Sequence, residues 1–319
     1  MNKNINILIL SCGSRNKIVQ YFKKELNGEG QVMAADCSHL APALYDADKY
    51  FIIPRIYEEG YIEAILSFCK ENSVKAVLSL IDPELSFLAK YKERFLEIGT
   101  VPIISDFDVV EMCFDKYKFY EFLIANGINA IRSYIDKEKF YKDVEAGIID
   151  YPVFVKPIKG SASINANIAK SKEEIELLFN KFNDLVIQRY VNGKEYGADV
   201  YVDMISDEIV AIFVKEKIRM RAGETDKSVS VKDEKLFELI RKFVRKAGLK
   251  GIIDFDIFKI DDEYFISEVN PRFGGGYPHA YECGVNIPRM IINNVKGMIN
   301  CREIGRYEEG IYMMKFNEI

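Results

Sequence analysis

The chain has 319 residues, of which 49% are hydrophobic, and its formal net charge is −5. This length predicts about two domains, and the acidic charge argues against nucleic acid as a partner, because phosphate contacts call for a basic surface. The apolar run at the N-terminus is too short for a signal peptide and no apolar stretch is long enough to cross a bilayer, so we expect a cytoplasmic protein with no membrane partner.

Cysteine and histidine are too sparse for several kinds of site. The six cysteines contain no Cys-x-x-Cys pair, so they are predicted to be reduced residues rather than a disulfide framework. The two histidines, His39 and His279, leave little material for a zinc site or a Ser-His-Asp triad. We therefore expect chemistry that depends on other side chains.

Residues 5–104 alternate short apolar runs with amphipathic segments. This order predicts a parallel sheet that helices cover on both faces. Sheets of this kind bind ligands at the carboxyl ends of their strands. The predicted strands are 5–10, 31–35, 50–54, 76–80 and 101–104, and the predicted helices are 16–26, 60–72 and 83–95.

Polar residues follow two of these strands. The turn SCGSR at residues 11–15 could present backbone N–H groups to an anion, but it lacks the Gly-x-Gly-x-x-Gly spacing of a dinucleotide site. Asp82 and Glu84 follow the fourth strand, where they either hold the amine of a substrate or cap the next helix. The sequence does not choose between these two roles.

Two lysines lie in places that suit a phosphate ligand. Lys116 occupies the first turn of a helix that Asp115 can cap, where a positive charge opposes the helix dipole and is easier to understand if it serves a ligand. Lys156 ends an apolar strand just before the small-residue loop GSAS at residues 160–163. Small side chains expose backbone N–H groups, which suits a flexible lid over phosphates. The alternative is that both lysines are solvated.

Four basic side chains crowd the end of a later strand: Lys215, Lys217, Arg219 and Arg221. Strict alternation would place all four on one face, where they would repel one another unless an anion shared that face. We predict that this face is the substrate and phosphate side of the protein. The alternative is a solvated edge strand that its charges protect from aggregation.

Residues 251–276 predict an antiparallel hairpin. Two runs of alternating apolar and polar residues flank Asp261-Asp262, whose polar side chains suit a tight turn. If Ile260 opposes Tyr264, several oxygen-bearing side chains near the open end share one face. The alternative is an ordinary exposed hairpin whose acidic side chains are solvated.

The polar side chains of this face predict a cation site. Asp256 would face Glu268, and Asp254 would face Asn270. Opposed carboxylates repel each other and destabilise a hairpin, so the pattern makes sense if a divalent cation such as Mg²⁺ lies between them. These side chains would then supply several oxygen ligands on one patch of the sheet.

An arginine and a glycine run extend this site toward a phosphate. Arg272 lies two residues after Asn270, and Gly274-Gly275-Gly276 would let the backbone approach a ligand closely. Carboxylate, carboxamide and arginine together fit a metal-bridged phosphoryl site. Farther along, His279 is either a substrate contact or a packed residue.

The motif EVNPRFGGGYP at residues 268–278 closely resembles the metal-binding end of the ATP-grasp superfamily, in particular the branch similar to the large chain of carbamoyl-phosphate synthase. The loop GSAS resembles a variant found in that branch, and further motifs follow in the expected order along nearly all of the chain. The resemblance implies an α/β and α+β fold. Its implied parts are an N-terminal Rossmann-like pre-ATP-grasp domain (1–112), an ATP-grasp small lobe with a phosphate-covering lid (113–187), and a large lobe with the metal site and a C-terminal tail (188–319).

The resemblance also implies roles for individual residues. Glu195 matches the residue that accepts hydrogen bonds from ribose hydroxyls, whereas Gln188 departs from the glutamate that is common near the adenine. Glu268 and Asn270 match metal ligands of the family, and Asp256, where that branch often has glutamine, would be the third ligand, with Asp254 as a supporting residue. Arg219 and Arg221 match basic residues near the active site and would act in catalysis with Arg272. The residues implied to bind ATP are Lys116, Lys156, Ser161, Ala162, Ser163, Gln188, Tyr190, Val191 and Glu195.

The implied activity is that of an ATP-dependent carboxylate-amine ligase, which works through an acylphosphate on an amino acid or peptide-like substrate. ATP and Mg²⁺, or Mn²⁺ in its place, would be the cofactors, and a small-molecule carboxylate and amine would be the partners. Two alternatives stay open: phosphorylation of bicarbonate or carbamate, as in carbamoyl-phosphate synthase, and a non-catalytic ATP-binding sensor. A homodimer also stays open.

Overall fold

A parallel sheet organises the N-terminal part of the protein. The structure is a computed structural model that describes residues 4–160, 165–221 and 223–316. The strands of this N-terminal sheet are β1 (Asn6–Leu10), β2 (Val32–Asp36), β3 (Lys49–Ile52), β4 (Val74–Ser79) and β5 (Val101–Pro102), in the order β3-β2-β1-β4-β5. All of its pairings are parallel, as the alternating sequence predicts.

Helices cover both faces of this sheet because β1 is apolar on both sides. Ile7 and Ile9 pack into one core with α1 (Asn16–Leu26), and Leu8 and Leu10 pack into another with α2 (Tyr61–Glu71). A short 3-10 helix, Pro42–Asp46, lies between β2 and β3. The helix predicted over 83–95 is instead two helices, α3 (Asp82–Lys90) and α4 (Lys92–Glu97), which are interrupted at Tyr91.

A four-stranded antiparallel sheet comes next along the chain. Its strands are β6 (Ser133–Tyr134), β7 (Val153–Pro157), β8 (Asn167–Ala169) and β9 (Leu185–Arg189), in the order β6-β9-β7-β8. The accompanying helices are α5 (Phe107–Phe114), α6 (Lys116–Ala125), α7 (Lys137–Glu145) and α8 (Lys172–Lys181). The predicted divisions after 112 and after 187 fall inside α5 and β9, so neither coincides with an element boundary.

A six-stranded antiparallel sheet forms the rest of the protein. Its strands are β10 (Lys194–Val202), β11 (Ile209–Arg221), β12 (Glu224–Val231), β13 (Gly251–Ile260), β14 (Glu263–Asn270) and β15 (Tyr312–Met314), in the order β14-β13-β10-β11-β12-β15. Its helices are α9 (Glu234–Ala247), α10 (Tyr277–Glu282) and α11 (Ile287–Val295). The apolar stripe of α9 packs on this sheet, with the rings of Phe243 and Phe255 5.7 Å apart.

The hairpin of β13 and β14 reaches the predicted register by an unexpected route. The turn pairs Ile260 with Glu263, one residue short of the predicted pairing, and Asp261 and Asp262 both have positive φ angles (48° and 67°). A shift of register between Asp256 and Ile257 then compensates, because one extra residue on β14 forms a β-bulge. The open end of the hairpin therefore has the predicted pairs.

In the parts of the chain that the structure describes, no helix combines the length and apolar character needed to span a membrane. The longest helix is α9, and its exposed side carries charged residues.

A buried carboxylate attaches the C-terminal helix α11 to the six-stranded sheet. Asp203 has no exposed surface and accepts hydrogen bonds from the side chain of Asn294 at 2.8 Å, from Asn300 at 2.7 and 2.9 Å, and from the backbones of Ile205 and Ser206 at 3.0 Å. Burial alone would raise its pKa, but these hydrogen bonds lower it to about 2.

We expect Asp203→Ala to lower the free energy of unfolding by about 3 kcal/mol, because it leaves several buried donors without an acceptor. Since the folded pKa lies below the ordinary value, this carboxylate stabilises the protein fully above pH 4, and about 2 kcal/mol is lost as the pH falls toward 2. Urea unfolding at pH 7 and pH 3 measures both effects. The control is Glu208→Ala at a neighbouring exposed residue, and equal stability of the two variants would contradict this role.

Candidate active site

A cavity of about 500 Å³ is lined by residues from the parts of the chain that hold all three sheets. Arg15 and Asp82 come from the N-terminal part, Lys156 from the four-stranded sheet, and Asp256 and Glu268 from the six-stranded sheet. The predicted site residues that line it are Lys116, Lys156, Gln188, Val191, Glu195, Asp256, Glu268, Asn270 and Arg272. The fold thus brings together residues that are distant in the sequence.

One end of the cavity has an apolar wall that suits an adenine ring. Phe154 on β7 and Phe258 on β13 contribute aromatic rings, and Val191 contributes an aliphatic side chain. Gln188 is buried, and its Nε2 donates a hydrogen bond to Ser133 Oγ at 3.0 Å. Its carbonyl oxygen then remains available to accept from a ligand amino group.

Tyr190 supports this wall through its side chain. Its ring centroid lies 5.2 Å from that of Phe154, and Tyr190 is not among the residues that line the cavity. The predicted contact of Tyr190 with the nucleotide therefore stays a prediction without support from this placement. Ser161, Ala162 and Ser163, which are predicted to cover the phosphates, lie outside the described residues.

Lys217 joins the predicted ribose and metal sites. Its ammonium group lies 2.7 Å from Glu195 Oε1 and forms an even closer ion pair with Asp256. The neighbouring strand makes room for it at Gly197, where a Cβ would lie 3.1 Å from Lys217 Cε. Burial alone would lower the pKa of Lys217, but Asp256 and Glu195 raise it above its usual range, so the side chain stays charged.

Lys116 and Lys156 lie where the phosphate loop begins. Lys116 Nζ donates to the carbonyl oxygen of Gly160 at 2.8 Å, and the backbone N–H of Lys116 donates to Ile158 at 3.0 Å. Burial lowers the pKa of Lys156, while the nearby Glu268 opposes this effect. A lysine whose charge is poorly solvated gains from an anionic ligand such as a phosphate.

The hairpin presents the three predicted metal ligands and Asp254 as two opposed pairs. Asp256 pairs with Glu268, and Asp254 pairs with Asn270. Burial raises the pKa of Glu268, although neighbouring lysines oppose it. Burial and then the charge of Asp256 raise the pKa of Asp254 to about 7. Proximity of like charges, which the sequence predicts for this face, is therefore present.

A magnesium ion fits this donor set. Within the described ranges, no group of three or more His, Cys, Asp and Glu side chains could hold a metal alone. Mg²⁺ usually binds one or two protein carboxylates and completes its octahedron with phosphate oxygens and water, which suits Asp256, Glu268 and Asn270. The side-chain amide of Asn270 can take two orientations. In the one that satisfies its hydrogen bonds, its nitrogen donates to Glu268 at 3.3 Å and to Asp82 at 3.0 Å. A half-turn of this amide would offer its oxygen to a cation.

Arg272 is held by carboxylates from two parts of the protein. Its Nη2 donates to Asp82 Oδ2 at 2.9 Å, and its Nε lies 2.8 Å from Asp82 Oδ1 without alignment for a hydrogen bond. Its Nη1 lies 3.7 Å from Asp254 Oδ2. Burial alone would lower the pKa of Arg272, but Asp82 and then Asp254 raise it. Arg272 therefore stays charged and connects the N-terminal part to the hairpin.

The acidic pair after β4 has two separate structural roles. Asp82 binds Arg272, as described above. Glu84 is 1% exposed and accepts hydrogen bonds from Ser11 at 3.0 Å and, at shorter distances, from Tyr61 and Ser79. Neither carboxylate caps α3 through its side chain, and Glu84 does not line the cavity. Neither of the two roles predicted for the pair is therefore supported for Glu84.

The three consecutive glycines make room for charged side chains of the protein itself. A ligand was predicted to approach them closely, and Gly275 and Gly276 do line the cavity. Each glycine also faces one charged side chain that a Cβ would approach too closely: Gly274 faces Asp254 (2.2 Å), Gly275 faces Glu224 (2.7 Å) and Gly276 faces Lys215 (3.0 Å).

The basic side chains of β11 do not share one face. Lys215 and Lys217 are 1% and 4% exposed, whereas Arg219 and Arg221 are 63% and 51% exposed and lie near an aspartate of β12. Strict alternation fails because the pairing with β12 shifts after Lys217 and again after Arg219. Met220 lines the cavity, and the two arginines do not. Their catalytic role therefore stays a prediction without support from this placement.

His279 is a packed residue rather than a substrate contact. Its Nδ1 lies 2.8 Å from Ser228 Oγ, its Nε2 lies 3.0 Å from the carbonyl oxygen of Ile311, and it does not line the cavity. Burial and then the charge of Lys215 lower its pKa to about 4, so the ring is neutral at pH 7. Lys215 itself forms a buried ion pair with Asp199 at 2.5 Å.

Sequence reasoning missed several residues of the cavity. Lys217 was predicted to lie on the substrate and phosphate side but was given no partner or individual role, Phe154 was treated as part of an apolar strand, and Arg15 and Glu224 received no role of their own. For Arg15 a signal was available, because it follows the carboxyl end of β1, where parallel sheets bind ligands. Phe154 and Glu224 carry no local pattern that would separate them from other residues of their types.

Comparison with known proteins gives two family matches and a set of relatives. Residues 113–276 match the ATP-grasp domain, and residues 7–104 match the N-terminal domain of PylC-like proteins. A carbamoyl-phosphate synthase of Methanobrevibacter smithii is 25% identical over 315 residues, which cover 93% of this chain and 82% of that protein. An arginine-specific carbamoyl phosphate synthase large chain of Geobacillus stearothermophilus is 22% identical over 236 residues, which cover 70% of this chain and 22% of that one.

Solved structures share the fold. The biotin carboxylase domain of Hydrogenobacter thermophilus 2-oxoglutarate carboxylase has a TM-score of 0.76 at 18% identity, covering 96% of this chain and 73% of that one. An L-amino acid ligase of Bacillus licheniformis has a TM-score of 0.69 at 18% identity, covering 92% and 74%. The fold expected from the resemblance is thereby confirmed. Since the ATP-grasp match spans just over half of the 319 residues, the chain belongs to the ATP-grasp family.

Proposed function

We propose that this protein is an ATP-dependent ligase that joins a small-molecule carboxylate to an amine through an acylphosphate. ATP-grasp enzymes use ATP and magnesium, and the similar biotin carboxylase domain was solved with MgADP and bicarbonate. The observation that carries the proposal is that cations and oxygen ligands suited to phosphoryl transfer line one cavity. They are Lys116, Lys156, Arg272, Asp256, Glu268 and Asn270.

The first step would transfer the γ-phosphoryl group of ATP to the substrate carboxylate. A carboxylate oxygen bonds to the γ-phosphorus while the bond from that phosphorus to the β–γ bridging oxygen breaks, and ADP leaves. Magnesium, when bound, supplies positive charge to the phosphates. Lys116, Lys156 and Arg272 add fixed positive charge, which stabilises the transferring group most where water is excluded.

The second step would form the carbon–nitrogen bond. The amine nitrogen bonds to the acyl carbon, the bond from that carbon to the phosphate oxygen breaks, inorganic phosphate leaves and the nitrogen gives up a proton. This route needs no nucleophile from the protein. Burial raises the pKa of Cys12 to about 12 and also raises that of Cys113, so neither thiol is activated.

Bicarbonate is a second candidate for the activated carboxylate. The supporting observation is that the relative from Methanobrevibacter smithii, which is named a carbamoyl-phosphate synthase, matches over 82% of its own length. The chain spans only about a fifth of the carbamoyl phosphate synthase large chains that it matches, at 22% of their length. Their complete activity is therefore not carried over.

Two further predictions concern the oligomeric state and the location of the protein. A homodimer is supported by the biotin carboxylase domain, which was solved as a dimer. A cytoplasmic location stays a prediction from the sequence.

The activity is tested by measuring ADP and phosphate release from MgATP with amino acids supplied singly and in pairs, with and without bicarbonate. We expect release that requires one carboxylate and one amine, with an amide product that mass spectrometry identifies. Release stimulated by bicarbonate alone would favour the second candidate. Nucleotide binding without any turnover would reject the proposal in favour of a sensor.

Removing one charge from the predicted metal site should abolish this activity. We expect Glu268→Gln to lower the rate of ADP release by at least about 100-fold, because the site loses a carboxylate that faces the transferring phosphate. The matched control, Glu263→Gln, neutralises an exposed glutamate on the same strand and should leave the rate within about twofold. Full turnover by folded Glu268→Gln would rule out Glu268 as a ligand.

A further inference from the structure

Charged residues from three parts of the chain meet at the wall of the cavity. Arg15 follows β1, Glu224 begins β12 and Lys315 follows β15. Arg15 Nη2 lies 3.0 Å from Glu224 Oε1, and Lys315 Nζ lies 2.8 Å from Glu224 Oε2. Arg15 and Glu224 line the cavity, and none of these three residues has a role in the phosphoryl transfer described above.

Arg15 retains donors for a ligand. A guanidinium has five N–H donors. Within the described residues, Arg15 uses one of them in a hydrogen bond, from Nη1 to the carbonyl oxygen of Phe273 at 3.3 Å, and its Nη2 forms the ion pair with Glu224. Its side chain is 23% exposed and lines the cavity. Arg272 differs because Asp82 faces both its Nε and its Nη2. Of these two arginines of the cavity wall, Arg15 thus keeps more donors for a ligand carboxylate.

Glu224 adds a negative charge to the cavity wall beside Arg15. Its side chain is 41% exposed although it contacts both Arg15 and Lys315. Partial burial alone would raise its pKa, but Arg15 and Lys315 lower it, so the carboxylate is ionised at pH 7. Gly275 permits this position, since a Cβ there would lie 2.7 Å from the carboxylate carbon. An ionised carboxylate on a cavity wall attracts an ammonium group.

We propose that Arg15 and Glu224 recognise a zwitterionic amino acid, with Arg15 binding its carboxylate and Glu224 binding its ammonium group. This inference rests on the proposed ligase function and specifies the class of one substrate. The two protein charges are adjacent, as are the two charges of an α-amino acid. Exchanging the Arg15–Glu224 contact for two contacts with the ligand also conserves the charge balance of the site.

The location supports a division of tasks within the cavity. Arg15 belongs to the N-terminal part, at the carboxyl end of a central strand of a parallel sheet, which is the usual ligand-binding edge. The apolar wall for the nucleotide comes from the other two sheets. The N-terminal part would therefore select the amino acid, and Leu80 and Ile81, which also line the cavity, would contact its apolar portion.

Binding and turnover are measured separately to test this site. The full chain, saturated with MgADP, is titrated with each of the common amino acids by isothermal titration calorimetry. We expect at least one to bind, and Arg15→Met to weaken that binding by about tenfold or more while the affinity for MgADP changes less than about twofold. Arg302→Met removes an exposed arginine and is the control that should change neither affinity.

A second pair of variants tests the carboxylate. The wild-type protein should bind the amino acid more tightly than the analogue that lacks its amino group, and Glu224→Gln should lose most of this preference. Glu97→Gln, at an exposed glutamate, should keep it. Arg15→Lys keeps the charge of Arg15 without its fork and should recover part of the affinity lost in Arg15→Met. A purely structural role for Arg15 would not produce this graded response.

The outcomes separate this inference from the ligase proposal. Amino acid binding that depends on Arg15 and Glu224 but leads to no ADP release supports the site and rejects the ligase. ADP release that needs an amino acid whose affinity is unchanged in Arg15→Met and Glu224→Gln overturns the site and keeps the ligase. Failure of every amino acid to bind the MgADP complex also overturns the site. Circular dichroism confirms that each variant is folded.

Discussion

The ammonium group of Lys217 lies between Glu195 and Asp256, the carboxylates predicted to serve the ribose and the metal. Loss of one partner from a buried ion pair leaves an uncompensated charge and typically costs about 3–5 kcal/mol, so the acidic side of this cavity depends on its internal cations before any ligand binds. Arg272 likewise compensates the charge of Asp82, and this ion pair also joins the N-terminal part to the hairpin. The positions of these predicted site residues are therefore set by charge pairing within the protein. A nucleotide and metal would enter an arrangement that is already ordered.

The hairpin shows how far a sequence pattern determines such a site. The polar side chains of its predicted site lie within about twenty consecutive residues. The alternation of side chains between the two faces of a strand is therefore enough to predict that Asp256 opposes Glu268. The same pattern does not reveal that the turn pairs Ile260 with Glu263 and that a bulge beside Ile257 restores the register. An extra residue in one strand is visible only when both strands are paired, because alternation within each strand looks nearly the same with or without it. The predicted pairs at the open end of the hairpin are correct because two deviations compensate each other.

Other parts of the site were not predictable in this way. The order of strands and helices gave the parallel N-terminal sheet, because alternating apolar and amphipathic segments have few other solutions. Alternation misplaced Arg219 and Arg221, since β11 shifts its pairing where it extends beyond the core. A charged cluster on the cavity wall could not be predicted for a different reason. Arg15, Glu224 and Lys315 come from separate loops and strand ends, and a single charged residue in a loop is usually solvated. Only the tertiary structure brings their charges together.

The cations without a carboxylate partner indicate where anionic ligands bind. In the described parts of the chain, Lys116 donates to a backbone carbonyl and Lys156 forms no ion pair, although both line the cavity. Burial disfavours the charged form of Lys156, so an anion that binds there recovers stabilisation that the protein alone does not supply. Arg272 already has carboxylate partners that compensate its charge, so it depends less on an anion. The phosphates of a nucleotide would therefore gain most from the two lysines, and Arg272 would add a positive charge whose position its partners fix beside the predicted metal ligands.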